Sequence, residues 1–209
     1  MSDIATLYIV SAASGAGKTS LVKALLEKDD KIVVSVSHTT RAARPGEEHG
    51  KDYFFVDKDE FTRMVNSGDF IEHAQVFDNF YGTAEAEVRR LLAEGLDVIL
   101  EIDWQGASQV RKLFPESVGV FILPPSKKEL ENRLRGRGQD SNEIIARRMR
   151  DAVSEISHYA EFDYLIVNDD FDKALAELSE LVRVHRLAIG QQTGKLQDLL
   201  TDLLATSAD

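Results

Sequence analysis

Ala12-Ala13-Ser14-Gly15-Ala16-Gly17-Lys18-Thr19 follows directly on the apolar run Leu7-Tyr8-Ile9-Val10. The order is a strand, a glycine-bearing turn, then a helix opened by Gly-Lys-Thr. It matches G-x-x-x-x-G-K-[ST], a loop that cradles a polyphosphate, with Ala12 in place of the first glycine. Gly15 and Gly17 let the backbone wrap close to phosphate oxygens with its N–H groups pointing inward. A helix starting near Lys18 offers unpaired N–H donors and the positive end of its dipole. Lys18 adds a mobile charge, and Thr19 offers a hydroxyl to a magnesium ion. Ala12 is compatible with the same wrap if it ends the strand with a negative φ. A strand-to-helix turn that binds nothing would leave Lys18 and Thr19 unexplained.

Outward from this loop, strands alternate with helices. Thr6–Ala12 reads as a buried strand, residues 17–28 as a helix and Ile32–Ser37 as a second strand. Pro45, Gly46 and Gly50 then break regular structure. Tyr53–Val56 and Phe70–Phe77 read as strands around a helix from Asp57 to about Asn66, with Asp57 and Glu60 as a capping box and Gly68 as the stop. Thr83 is expected to cap a helix running through Glu94. Asp97–Asp103 and Val118–Leu123 are buried strands. Ser126 with Glu129, and Ser141, cap two further helices. Asp163–Val167 is the last strand, and Asp170 to about Ile189 the last long helix. In the tail, Leu196, Leu199, Leu200, Leu203 and Leu204 fall at helical spacing.

This rhythm predicts an α/β protein with a parallel-sheet core covered by helices on both faces. Residues 38–96 break it and read as a smaller α+β insertion. Ligands of open parallel sheets sit at the carboxyl ends of the strands, where Ser11–Ala13, Ser37, Asp103 and Asn168 fall.

With 209 residues, 43% of them hydrophobic, the chain suffices for one substantial core. It has no cysteine, which excludes disulfides and thiolate zinc sites. No apolar run approaches the roughly 20 residues that span a bilayer. Met1-Ser2-Asp3 lacks the basic and apolar regions of a signal peptide, so a soluble cytoplasmic protein is expected. A formal net charge of −11 argues against a nucleic-acid binder. Arginines nevertheless cluster at 41 and 44 and again between 133 and 150, which suits a small anionic ligand. The five histidines show no metal spacing.

A second constellation is spread along the chain. Ser-Val-Ser-His-Thr-Thr-Arg-Ala-Ala-Arg (35–44) is followed by Gly-Lys-Asp-Tyr-Phe-Phe (50–55), Phe-Ile-Glu-His-Ala (70–74) and Phe-Tyr-Gly-Thr (80–83). Then come Glu-Ile-Asp-Trp-Gln-Gly (101–106), Leu-Arg-Gly-Arg-Gly (134–138) and Tyr-Leu-Ile-Val-Asn-Asp-Asp (164–170). Taken singly, these residues have bland readings. Arg41 and Arg44 read also as solvated loop charges, Glu72 as an ordinary strand residue, and Tyr53 and Tyr81 as rim aromatics. The arginines 133–150 read also as a solvated helix face, and Asn168-Asp169-Asp170 as a helix cap. Asp103 is less easily dismissed, because buried strand ends seldom carry idle carboxylates.

Together, and in this order from about Leu7 to Leu187, the motifs resemble the guanylate kinase family, its bacterial members in particular. The resemblance implies a P-loop NTPase-type core that transfers the γ-phosphoryl group of Mg-ATP to GMP, giving ADP and GDP. It implies core segments at 1–37, 97–126 and 153–190, a GMP-binding insertion at 38–96 and a helical lid at 127–152. Residues 191–209 form a C-terminal helical tail outside these motifs. By position, Arg41, Arg44, Tyr53 and Tyr81 would hold the GMP phosphate, and Ser37, Glu72, Thr83 and Asp103 would read guanine or lie beside it. Lys18, Arg137 and Arg148 would surround the transferring phosphoryl group. ATP would lie on Ala12, Ala13, Ser14, Gly15, Ala16, Gly17, Lys18, Thr19, Ser20 and Asn168. Magnesium would take Thr19 directly, with Glu101 and Asp103 acting through water. Glu101 stands where aspartate is frequent in the family, Phe80 where tyrosine is common, and Ala13 where proline is common.

Two other readings remain beside this one. A catalytically inactive, guanylate-kinase-like protein-binding module should lose the phosphate loop or the lid arginines, and this chain has both. A different nucleoside monophosphate kinase is disfavoured by Glu72, whose carboxylate suits the two donors of guanine. The expected partners are ATP and GMP, with no nucleic acid or membrane, and with the leucine-bearing tail as a contact for a homo-oligomer.

Overall fold

Leu7–Ala12 forms β1, and its first five residues are buried, as expected of a central parallel strand covered on both faces. Residues 5–76, 78–136 and 141–205 are described by this computed structural model. β1 lies between β7 (Asp97–Glu101) and β8 (Val118–Leu123), with β2 (Ile32–Val34) and β9 (Tyr164–Val167) at the edges. Every pairing in this five-stranded sheet is parallel. Alternate residues of β1 therefore serve different faces. Tyr8 and Val10 join Leu21, Val22, Leu175 and Leu178 from α1 (Lys18–Leu26) and α7 (Phe171–Arg186). Leu7 and Ile9 join Val88, Leu91 and Val110 from α3 (Glu85–Ala93) and α4 (Trp104–Leu113).

A second sheet has the order β4-β3-β6-β5, built from β3 (His38–Thr39), β4 (Phe54–Phe55), β5 (Phe70–Val76) and β6 (Asn79–Ala84). β5 and β6 form an antiparallel hairpin, with β5 as the edge strand. Its own small core gathers Phe61 and Met64 of α2 (Lys58–Ser67) against Phe70. α2 starts and stops as its sequence dictates: Asp57 accepts a hydrogen bond from the Glu60 N–H at 2.8 Å, and Gly68 ends it at φ 71°.

α5 (Lys127–Gly136) and α6 (Asn142–Ile156) begin at Ser126 and Ser141, whose hydroxyls accept from the Glu129 N–H at 3.0 Å and the Ile144 N–H at 3.4 Å. Their buried Leu130, Leu134 and Ala152 close over Ala13 of the loop.

Three expectations need correction. Thr83 does not cap α3: the cap position is Ala84, without a side-chain bond, and Thr83 lies within β6. Thr83 stays extended because it pairs with Glu72 across the β5–β6 hairpin, and its hydroxyl donates to the Glu72 carboxylate at 2.6 Å. The strand Ile32–Ser37 stops at Val34, although the Ser35 N–H still donates to the Ile99 carbonyl at 3.1 Å. The last long helix ends at Arg186, and the tail forms two helices, α8 (Ile189–Lys195) and α9 (Gln197–Leu204). Arg186 is held there by Asp29 at 2.6 Å and Asp97 at 2.7 Å. The start of the tail is tied back by Gln191 to the Thr6 hydroxyl and by Gln192 to the Arg186 carbonyl, while the leucines of α9 are exposed. Among the described residues no helix is long and apolar enough to cross a membrane.

Candidate active site

The loop after β1 turns through two left-handed glycines, Gly15 at φ 94° and Gly17 at φ 98°. Gly17 is also required by space, since a Cβ there would lie 2.2 Å from Asn168 Nδ2. Gly17 opens α1 without a side-chain cap, so Lys18, Thr19 and Ser20 stand at an uncapped helix start. Distant side chains hold the loop in shape. Buried Asn168, at the end of β9, donates from Nδ2 to the Ala16 carbonyl at 2.8 Å. Arg133 on α5 donates to the Asn168 carbonyl at 3.0 Å and to the Ala16 carbonyl at 3.4 Å. From α6, Glu155 Oε2 accepts from the Ser14 N–H at 3.0 Å, and Arg148 Nη2 donates to the Ser14 hydroxyl at 3.1 Å. Burial pushes the Glu155 carboxyl above its ordinary range, against the Ser14 hydrogen bond and the charge of Lys18.

Ala12 is the last residue of β1, and Ala13 is buried behind it. The Thr19 hydroxyl donates to Glu101 Oε2 at 2.9 Å, at the carboxyl end of β7. Two residues on, Asp103 caps α4 by accepting from the Gly106 N–H at 2.9 Å.

Across from the loop, the second sheet presents a buried carboxylate. Glu72 on β5 is 3% exposed. Thr83 on β6 donates to its Oε1 at 2.6 Å, and the Ser37 hydroxyl stands 3.2 Å from that of Thr83. Burial pushes the Glu72 carboxyl up to about 7; the neighbouring Asp103 charge adds to the rise, while the Thr83 bond and the charge of Lys18 oppose it.

Around the same sheet, the Arg41 guanidinium stands 5.4 Å from the centre of the Tyr53 ring, whose centre lies 6.0 Å from that of Tyr81. Glu47 lies between the two arginines. It accepts from Arg41 Nη2 at 2.8 Å and from the Arg44 N–H at 2.7 Å, while Arg44 as a residue is exposed. Burial raises the Tyr53 hydroxyl, and the Glu101 charge contributes to the rise. The Lys18 charge opposes the rise at Glu72, and the Glu101 charge adds to the rise at Tyr53. Arg137 lies outside the described residues.

A family model described as guanylate kinase matches residues 4–185. The chain belongs to the guanylate kinase family. Among its relatives, a guanylate kinase of Salmonella typhimurium is 58% identical over 202 residues, covering 96% of this chain and 98% of that protein. One of Yersinia pestis is 56% identical over the same length, with the same coverage. The crystal structure of guanylate kinase from Anaplasma phagocytophilum matches with a TM-score of 0.79 at 38% identity, covering 95% of each chain. The parallel-sheet α/β architecture is that of this family.

For a family member, three side chains stand out that the sequence did not single out for the site. Glu155 and Arg133 shape the phosphate loop, and Glu47 organises the two arginines. Glu155 follows Arg148 by two helical turns, so its place on the same face of α6 was available as a signal. Arg133 was visible only as a member of the arginine cluster between 133 and 150, and Glu47 carries no such pattern.

Proposed function

We propose that this guanylate kinase family member transfers the γ-phosphoryl group of ATP to GMP by holding the two nucleotides on opposite walls of the cleft between loop and second sheet. The observation that carries the reading is the buried Glu72 carboxylate, which accepts from the Thr83 hydroxyl at 2.6 Å. A buried carboxylate served by Thr83 alone among the described hydrogen bonds keeps acceptor capacity that a ligand with further donors can fill. Guanine supplies two, N1–H and the N2 amino group, and one carboxylate accepts both. Thr83 and Ser37 complete the wall, and Asp103 borders it.

On the opposite wall, the loop N–H groups and Lys18 receive the ATP phosphates, with Asn168 and Arg133 holding the loop in shape. Arg41, Arg44, Tyr53 and Tyr81 take the GMP phosphate. For this, Glu47 must give up part of its hold on Arg41 to a dianion that accepts the same guanidinium. No general base is needed, because a phosphate dianion is already a nucleophile. The protein's work is to align it with the γ-phosphorus and to balance charge. Arg148, and Arg137 in the same reading, approach from the α5–α6 side, which acts as the lid that excludes water.

Thr19 and Glu101, with oxygens 2.9 Å apart, suit magnesium, which uses one or two protein oxygens together with substrate phosphates. Magnesium would supply charge neutralisation of the phosphates there, with Asp103 reached through water. The exposed leucines of α9 make that helix the self-association face in this reading.

A coupled assay offering GMP, AMP, UMP and CMP with ATP tests the proposal. GMP alone should support rapid ADP formation. Comparable rates with AMP would overturn the guanine reading, and absence of transfer to any of them would favour the protein-binding module.

A further inference from the structure

Glu72 is held from behind by the core. Gly106, in the first turn of α4, is not among the positive-φ glycines, so its backbone does not call for glycine. Space does: a Cβ there would lie 2.6 Å from Glu72 Oε2 and 3.2 Å from Glu72 Cδ. One helical turn further, on the same face of α4, Gln109 grips the next residue of β5. The His73 N–H donates to Gln109 Oε1 at 3.1 Å, and Gln109 Nε2 donates to the His73 carbonyl at 2.9 Å. β5 is the edge strand of its sheet, so the Gln109 amide takes the place of a neighbouring strand for that residue. These two contacts bracket Glu72. One sets how deep its carboxylate sits, and the other fixes the strand that carries it.

We propose that Gly106 and Gln109 are positioning residues for base selection, through which the core helix α4 sets the place of the Glu72 carboxylate. The inference rests on Glu72 reading guanine. Accepting N1–H and the N2 amino group together requires both oxygens in the plane of the base at hydrogen-bond distance. A methyl group at position 106 moves the carboxylate by several tenths of an ångström or more, and one of the two bonds is lost. Gln109 touches neither the carboxylate nor the loop in any described bond. Its loss frees the strand without placing an obstacle in the pocket.

The test compares kcat and KM for GMP and IMP, together with KM for ATP and Tm, in wild type, Gly106→Ala, Gln109→Leu and Glu72→Gln. IMP lacks the N2 amino group, so the GMP:IMP ratio of kcat/KM reads the two-bond arrangement directly. Gly106→Ala should lower GMP efficiency about 10- to 100-fold, mainly through KM, and shrink the GMP:IMP preference about tenfold. Gln109→Leu should move both in the same direction by about threefold to tenfold, and KM for ATP should hold in both variants. If both variants keep the wild-type ratio while Glu72→Gln loses it, the positioning role is wrong and the reading of Glu72 stands. If Glu72→Gln keeps the ratio too, both fall. A lower kcat or Tm at an unchanged ratio is a structural effect only and overturns the inference. Gln109→Leu, on the outer side of the contact, keeps the test decisive should Gly106→Ala not fold.

Discussion

The phosphate loop is one continuous stretch, residues 12–19, whereas the Glu72 pocket gathers Ser37, Glu72, Thr83 and Gly106 from separate elements. Their chemistry differs as much as their construction. The loop works through backbone N–H groups and a helix start, which accept any suitably shaped polyphosphate. The pocket works through a buried carboxylate that is unfavourable when charged and empty. In the proposed reading, one region provides affinity for phosphate in general. In the same reading, the other provides discrimination, because an unsuitable base would leave a buried group unpaired.

The largest expected effect lies in the loop. Lys18→Ala should reduce kcat by about 10²–10³-fold while leaving GMP affinity nearly unchanged. Turnover assays with direct GMP-binding measurements would show this. Near-normal kcat, or a loss confined to GMP binding, would erase the division of labour.

The second effect concerns stability. Folded Glu72 keeps its proton up to about pH 7, while in the unfolded chain it titrates near ~4.3. Between those values the folded state binds more protons, so stability falls as pH rises through the window and stays lowered above it. Glu72→Gln removes this loss. Without ligand, the variant should exceed wild type by about 3 kcal/mol at pH 8 and match it within about 1 kcal/mol near pH 4.5. Urea unfolding at the two pH values measures the difference. Equal midpoints at pH 8 would show that the empty pocket carries no electrostatic penalty, and the contrast with the loop would lose its basis.

How the two regions were visible in the sequence follows the same contrast. The loop, the central strands and the caps at Asp57, Ser141 and Asp170 follow from residues a few positions apart, and all three caps form hydrogen bonds. β6 was missed because Thr83 before an acidic, helical run looks like a cap. Only the partner strand, with Glu72 on it, shows why Thr83 stays extended. Asn168 was visible as a strand end, but its grip on Ala16 was not, nor that of Arg133. Those contacts close only when β9 and α5 reach the loop. The Gly106–Glu72 approach is of the same kind, since a helical glycine without an unusual φ leaves no local mark.

A smaller effect sharpens the boundary between the lid side and the base pocket. Arg148→Ala removes a charged hydrogen bond to Ser14 and a cation beside the loop, and should lower kcat about tenfold with little change in KM for GMP. Steady-state kinetics separate the two. A rise in KM alone would move Arg148 to the GMP side.

The smallest effect is expected in the tail. Removing residues 196–209 leaves the Gln191 and Gln192 ties intact, so kcat/KM should stay within about twofold of wild type. Light scattering of full-length and truncated protein reads assembly. A lower mass after truncation supports α9 as the self-association face, and an unchanged mass removes it.

The central claim is that Glu72 selects the base while the loop handles the donor, and kcat/KM for GMP and AMP in wild type and Glu72→Gln tests it most directly. The account predicts a drop of about 10²-fold for GMP, a collapse of the preference over AMP, and an unchanged KM for ATP. A variant that kept the wild-type preference for GMP over AMP would place base recognition elsewhere and contradict the account.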